Sequence, residues 1–142
     1  MPPIPRYRSP LGNLNLPSTT DHRSPTDYPP RVPHTDAVVV LTTVSSDEEA
    51  VKLVKTLLDR RLIACGTLVS GARSIYRWQG KISDEREVLI LLKTRSARID
   101  ALRNAFTELH PYKVPELLVL SVDTGLEKYL EWINGETSLS LT

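Results

Sequence analysis

Apolar residues in this chain cluster only after position 36, and their spacing changes from block to block. Ala37–Thr43 is a β-branched run with no polar interruption, which predicts a strand buried on both faces. Ser46 and Glu49 then have the spacing of a capping box, opening a helix that runs to about Arg61. Within it Ala50, Leu53 or Val54, Leu57 and Leu58 form an apolar stripe, while Lys52, Lys55 and Asp59 face water. Ile63–Val69 reads as a second strand. Ser70 and Gly71 should bend or bulge it before it continues through Ile75 to Trp78.

A turn must follow, at Gln79-Gly80 or at Ser83-Asp84-Glu85. The second is preferred, since it lets 76–82 pair along the apolar run 88–92. Ser96 is placed to cap the next helix, in which Ile99, Leu102, Phe106 and Leu109 recur at three- and four-residue steps. Pro111 forces His110 out of helical geometry and Pro115 pushes Val114 toward extended geometry, just before a fourth strand over 116–122. Leu126, Tyr129 or Leu130, and Ile133 mark a short last helix stopped near Asn134-Gly135. The order is β-α-β, β-α-β, then a helix. The fold class is α+β, a ferredoxin-like split β-α-β sandwich: an antiparallel four-stranded sheet with two helices on one face and a long hairpin joining its second and third strands. That hairpin, from Cys65 to Lys93, exceeds what one small sheet requires. Its protruding aromatic and apolar half calls for cover from a neighbouring subunit.

Composition divides the chain. Nine of the 11 prolines lie in the first 36 residues, so 1–36 is expected to be a disordered Pro-rich extension and 37–142 the folded domain. The extension carries four Arg and three Asp, a net +1, which leaves the domain formally neutral. Neutrality argues against nucleic-acid binding, which shows as a basic excess on one face. No apolar run approaches the roughly 18 residues of a membrane span. A cytoplasmic location is the default, with an organellar one as the alternative if the extension is a transit peptide.

Candidate chemistry is sparse. A single cysteine, Cys65, excludes an internal disulfide and a multi-thiolate metal site. It sits in a strand with no basic neighbour to activate it, and is expected to be a buried structural thiol. His110 is the only histidine after residue 36. It either closes its helix or serves as a metal ligand, and the first is preferred because no second His or Cys stands at ligand spacing. Tyr76 and Trp78 share one face of a strand, as a packed sheet or a subunit contact would require. Lys81, Glu87, Lys93 and Glu116 read either as a polar site or as protective edge charges. Phosphate loops, nucleophile elbows and zinc-protease motifs are missing from the sequence, so no enzyme is expected. A small acylphosphatase-like hydrolase, for which Arg73, Arg77 and Asn104 are available, is a remote third reading.

In combination, Ala64-Cys65, Gly71, Ser74-Ile75-Tyr76, Trp78, Gly80-Lys81, Glu87, Lys93-Thr94, His110-Pro111-Tyr112 and Pro115-Glu116-Leu117 resemble the CutA family of divalent-cation tolerance proteins over residues 37–134. Gly66, Thr67 and Ser70 depart from that pattern. The resemblance implies a tight homotrimer in which long hairpins extend neighbouring sheets, in a manner similar to PII signal-transduction proteins. It also implies a metal-tolerance role without a required cofactor, with Cu2+ favoured over other divalent cations, or a small ligand, in clefts between subunits. His110 is then the candidate metal residue, beside Tyr112 and Glu116 of one chain and Trp78, Lys81 and Lys93 of another. Cys65, Gly71, Tyr76, Pro111 and Pro115 are expected to be structural. The alternative is a non-catalytic trimeric adaptor that anchors protein partners.

Overall fold

The computed structural model describes residues 35–139. The expected disordered extension and its targeting role therefore fall almost wholly outside the described residues. Two positions assigned to it do not. The Thr35 hydroxyl donates to the Val122 carbonyl at 2.6 Å, and the Asp36 carbonyl accepts from the Ser96 amide at 2.8 Å. Folded structure thus starts ahead of the first strand, because Thr35 and Asp36 satisfy polar backbone of two neighbouring segments.

Strands β1 (Ala37–Val44), β2 (Cys65–Trp78), β3 (Lys81–Arg95) and β4 (Leu118–Ser121) form one sheet of order β2-β3-β1-β4. Every pairing is antiparallel. Helices α1 (Asp47–Asp59) and α2 (Ile99–Leu109) cover one face, and α3 (Glu127–Glu136) ends the described chain. This is the ferredoxin-like arrangement that the order of elements predicts.

Helix α1 starts where the capping pattern places it: the Ser46 hydroxyl accepts the Glu49 amide at 3.2 Å. The Glu49 carboxylate reaches back one residue further than in a capping box, accepting from the Ser45 hydroxyl and amide. Ala50, Leu53, Val54 and Leu57 of α1 and Ile99, Leu102, Ala105 and Phe106 of α2 close over Val38, Val40, Val44, Ile90 and Leu92. Leu58, expected in the stripe, is exposed because the stripe has already rotated past the sheet at Leu57.

Further expectations change. β1 alternates rather than being buried throughout: Val38, Val40, Thr42 and Val44 are buried, Val39, Leu41 and Thr43 only half-buried. Its second face has no complete covering layer in one chain. α3 covers one end of that face, packing Ile133 against Ala37 and Ala64. The hairpin turns at Gln79-Gly80, not at Ser83-Asp84-Glu85, with Trp78 paired to Lys81. Both turn residues have positive φ, 46° and 76°, as the tightest two-residue hairpin turn requires, and this connection follows strand twist better than a longer one. Tyr76 consequently pairs with Ser83, not with the 88–92 run.

Ser96 does not cap α2 through its side chain. It opens a 3-10 turn, Ser96–Arg98, that leads into the helix. β4 is shorter than expected, since Glu116 and Leu117 have not yet reached β1, and α3 runs through Gly135 to Glu136. The bulge, by contrast, lies where Ser70-Gly71 predicts it. The β2–β3 register shifts between Val69 and Ala72, and Gly71 takes a φ of +80° that a side chain would resist.

Gly66 leaves the room that Val54 of α1 occupies against β2. A Cβ there would lie 2.8 Å from both γ-carbons of Val54 and 3.3 Å from a Leu92 methyl. Gly66→Ala should therefore destabilise the domain by about 1–3 kcal/mol through overpacking. Denaturant melts should show the loss, with part of it recovered in Gly66→Ala/Val54→Ala, where the stiff β-branched neighbour is gone.

Candidate functional site

The polar residues converge where β1 ends. β1 pairs with β3 as far as Val44 opposite Val88, so Glu87 is the first residue of β3 beyond that ladder. The gap is filled by the exit of α2. His110 caps the helix in extended geometry (φ −72°, ψ 135°), its amide still bonded to the Phe106 carbonyl at 3.0 Å. Pro111 enforces that break, as the sequence predicts. The imidazole then turns inward, 8% exposed, between the rings of Phe106 and Tyr112.

Both ring nitrogens of His110 are engaged. The Tyr112 amide donates to Nδ1 at 3.0 Å, so Nδ1 carries a lone pair and Nε2 carries the hydrogen of the neutral ring. Nε2 lies 3.0 Å from the Thr42 hydroxyl oxygen, which therefore accepts. Burial lowers the His110 pKa from its ordinary value, against the opposing pull of the Thr43 backbone, Glu49 and Glu87. His110 is a neutral pin joining β1 to the segment after α2.

Next to it, the Tyr112 hydroxyl donates to Glu87 Oε2 at 2.8 Å. Burial and this bond to Glu87 raise the Tyr112 pKa well above its ordinary value. Burial also works to raise the Glu87 pKa, but hydrogen bonds from Ser74, Thr43 and Tyr112 outweigh it and hold the carboxylate ionised. Glu116 shows the opposite balance. Burial, then the negative charge of Glu87, pushes its pKa up. Glu116 thus lies near enough to Glu87 to feel its charge, and of the two carboxylates one is stabilised as the anion and the other is not.

The sequence-predicted cleft residues separate into two groups. Tyr112 bonds Glu87, and His110 and Glu116 both feel the Glu87 charge. Trp78 and Lys81 instead face each other at the hairpin tip, six pairs of residues from Glu87. Lys93 lies opposite Cys65 at the other end of the hairpin and donates to Thr67. Cys65 is half-buried rather than buried, 3.7 Å from the Tyr129 hydroxyl, because its strand face is the incompletely covered one. Tyr76 is exposed and donates to Glu85 at 3.2 Å. Glu87, read from the sequence as part of a polar site or as an edge charge, belongs to the cluster, and Thr42 completes it without having been singled out.

These residues do not make a copper centre within one chain. The His110 nitrogens are both occupied, and among the described residues no three His, Cys, Asp or Glu side chains converge. Free donor capacity sits instead on the carboxylate oxygens.

A neutral buried imidazole gives stability a definite pH dependence. The unfolded chain takes up the His110 proton at a higher pH than the folded chain does. Stability from this group is thus complete above about pH 6.5 and is lost as pH falls below that value. Glu116, with its raised pKa, has the opposite sign at lower pH. Urea midpoints from about pH 7.5 to about pH 5 should fall for the native protein and flatten in His110→Gln. Tyr112→Phe should cost about 1–3 kcal/mol and raise the Glu87 pKa, since it strips a donor from a buried carboxylate. Calorimetry and carbon-13 carboxyl titration check the two effects.

Residues 38–136 match the family described as "CutA1 divalent ion tolerance protein". A divalent-cation tolerance protein CutA of Pectobacterium atrosepticum is 46% identical over 103 residues, spanning 72% of this chain and 94% of that protein. Another, from Thermus thermophilus, is 42% identical, covering 70% of this chain and 96% of the relative. Among solved structures, CutA1 of Oryza sativa superposes with a TM-score of 0.71 at 36% identity, over 75% of this chain and 97% of that one.

Proposed function

Given that the chain belongs to the CutA1 divalent ion tolerance family, we propose that it is a homotrimeric metal-response protein without catalytic activity, binding a divalent cation in clefts between subunits. The observation that carries this reading is the ionised Glu87 beside the partly desolvated Glu116. A divalent cation would neutralise both and remove the repulsion that raises the Glu116 pKa.

Assembly supplies what one chain lacks. The second sheet face leaves Val69, Leu118 and Leu120 exposed, and the outer hairpin leaves Ile75, Tyr76 and Ile82 exposed. A neighbouring subunit covering these would bring hairpin residues such as Trp78, Lys81 or Lys93 toward the carboxylates. Copper is the cation favoured for the family likeness. In this chain it would require His110 to surrender its bond to Thr42 or Tyr112, so the carboxylates, not the imidazole, make the first contact. His110 is held in one tautomer by its neighbours, which suits a positioning role better than proton transfer.

An adaptor role has its own supporting feature. Tyr129 and Trp132 stack at 5.5 Å on α3, and both are exposed. Aromatics of this kind anchor protein contacts. No helix among the described residues is long and apolar enough to cross a membrane.

Light scattering on the full chain should give three times the chain mass. Isothermal titration of the metal-free protein with Cu2+, then Zn2+, should show saturable binding that Glu116→Gln weakens about tenfold or more, the loss of one charged ligand. Binding unchanged in both Glu116→Gln and His110→Gln would remove the cleft from consideration and leave the adaptor reading.

A further inference from the structure

The outer half of the β2–β3 hairpin carries an arrangement of charge that neither the fold nor the proposed cleft uses. Beyond the bulge, Arg73 pairs with Arg86, Ile75 with Asp84 and Arg77 with Ile82. Alternation places these six side chains on one face of the ribbon. Three are cations and one is an anion, a local +2 in a domain that is neutral overall. Directly opposed like charges destabilise a two-stranded pairing, with Cβ atoms only about 5 Å apart. Opposed arginines are therefore a liability unless an anion sits between them.

Asp84 compensates only half of that demand. It holds Arg73 in a two-point fork, with Nε donating to Oδ1 at 2.7 Å and a terminal nitrogen donating to Oδ2. The fork fixes the plane of the Arg73 guanidinium and leaves its remaining terminal N–H groups pointing elsewhere. Arg86 has no hydrogen-bond or ion-pair partner among the described residues, so its donors are unassigned. The two guanidinium groups and Asp84 line a concavity of about 290 Å³.

We propose that Arg73 and Arg86 form a phosphate-binding site on the hairpin, taking the phosphate group of a small phosphorylated molecule. Guanidinium geometry matches phosphate oxygens two at a time, and two arginines side by side match a group carrying close to two negative charges. Asp84 acts as the gatekeeper. It orients Arg73 and competes with the ligand for it, which keeps affinity modest and selects for a dianion over a single carboxylate.

The test uses the full chain, freed of metal, titrated calorimetrically with inorganic pyrophosphate at constant low ionic strength, with chloride as the matched control. Saturable pyrophosphate binding that chloride does not reproduce is expected. Arg86→Gln should weaken it about fivefold or more, the upper range for an exposed charge pair, and Arg86→Lys, which keeps charge but loses the fork, should fall between. Asp84→Asn should tighten binding, because it releases Arg73. A variant that merely misfolds loses affinity, so this gain separates a built site from general damage. Equal binding by Arg86→Gln, full competition by chloride, or weaker binding by Asp84→Asn would overturn the proposal. So would an Arg86→Gln protein of altered mass whose parent binds no pyrophosphate, since the arginines would then belong to a subunit contact. None of these results depends on the carboxylate cleft, which is read by the metal titration.

Discussion

The difference in length between two paired strands shapes this molecule. β3 has 15 residues and β1 only 8, so β1 can support only about half of its partner. Over that half, β3 is a central strand with helices above it and a well-packed core. Past Val88 it has β2 alone for company, and a two-stranded ribbon is marginal in water. The bulge at Ser70-Gly71 lies close to this transition. It lets the hairpin change twist as it leaves the sheet, so the inner part packs while the outer part projects.

The candidate site occupies the corner created by the same mismatch. Where β1 stops, a buried polar edge would be left without partners. The exit of α2 meets that need, with His110 reaching Thr42 on β1 and Tyr112 reaching Glu87 on β3. A neutral ring with both nitrogens bonded is inexpensive to bury, whereas its charged form would set a ring N–H against the Tyr112 N–H. The histidine therefore stabilises the corner, and the electrostatic tension is passed to the carboxylates. Glu87 is well solvated by hydroxyl donors and Glu116 is not, so their competition remains available for a ligand to resolve.

Incomplete surfaces dominate the rest of the domain. A core of roughly a hundred residues is modest, and here half the sheet's second face stays only partly covered. Exposed Leu118 and Leu120 on the edge strand, together with exposed Ile75 and Ile82 on the ribbon, are the pattern of a protomer rather than of a self-sufficient unit. Metal binding between subunits and phosphate binding on the ribbon would thus both depend on how hairpins are presented in the assembly.

What could be read from the chain directly was whatever depends on neighbours in sequence. The strand and helix order, the Ser46 cap, the bulge at Gly71 and the break at His110-Pro111 all follow from local backbone preferences and from the 2.0 and 3.6 periodicities. The family likeness likewise rests on short words whose order survives in the sequence. Tertiary structure alone decided the hairpin turn, since Gln79 tolerates a positive φ only because the register of two long strands demands it. It also decided the state of His110. Spacing offered a ligand or a cap, and only the positions of Thr42, 68 residues away, and of the Tyr112 amide show both nitrogens taken. Glu87 was legible as a candidate beside Lys81, Lys93 and Glu116, but which of these meet was not, since a single strand position says nothing about where a neighbouring strand will end. Local chemistry is written residue by residue, but burial and hydrogen-bond partners belong to pairs that only the folded chain brings together.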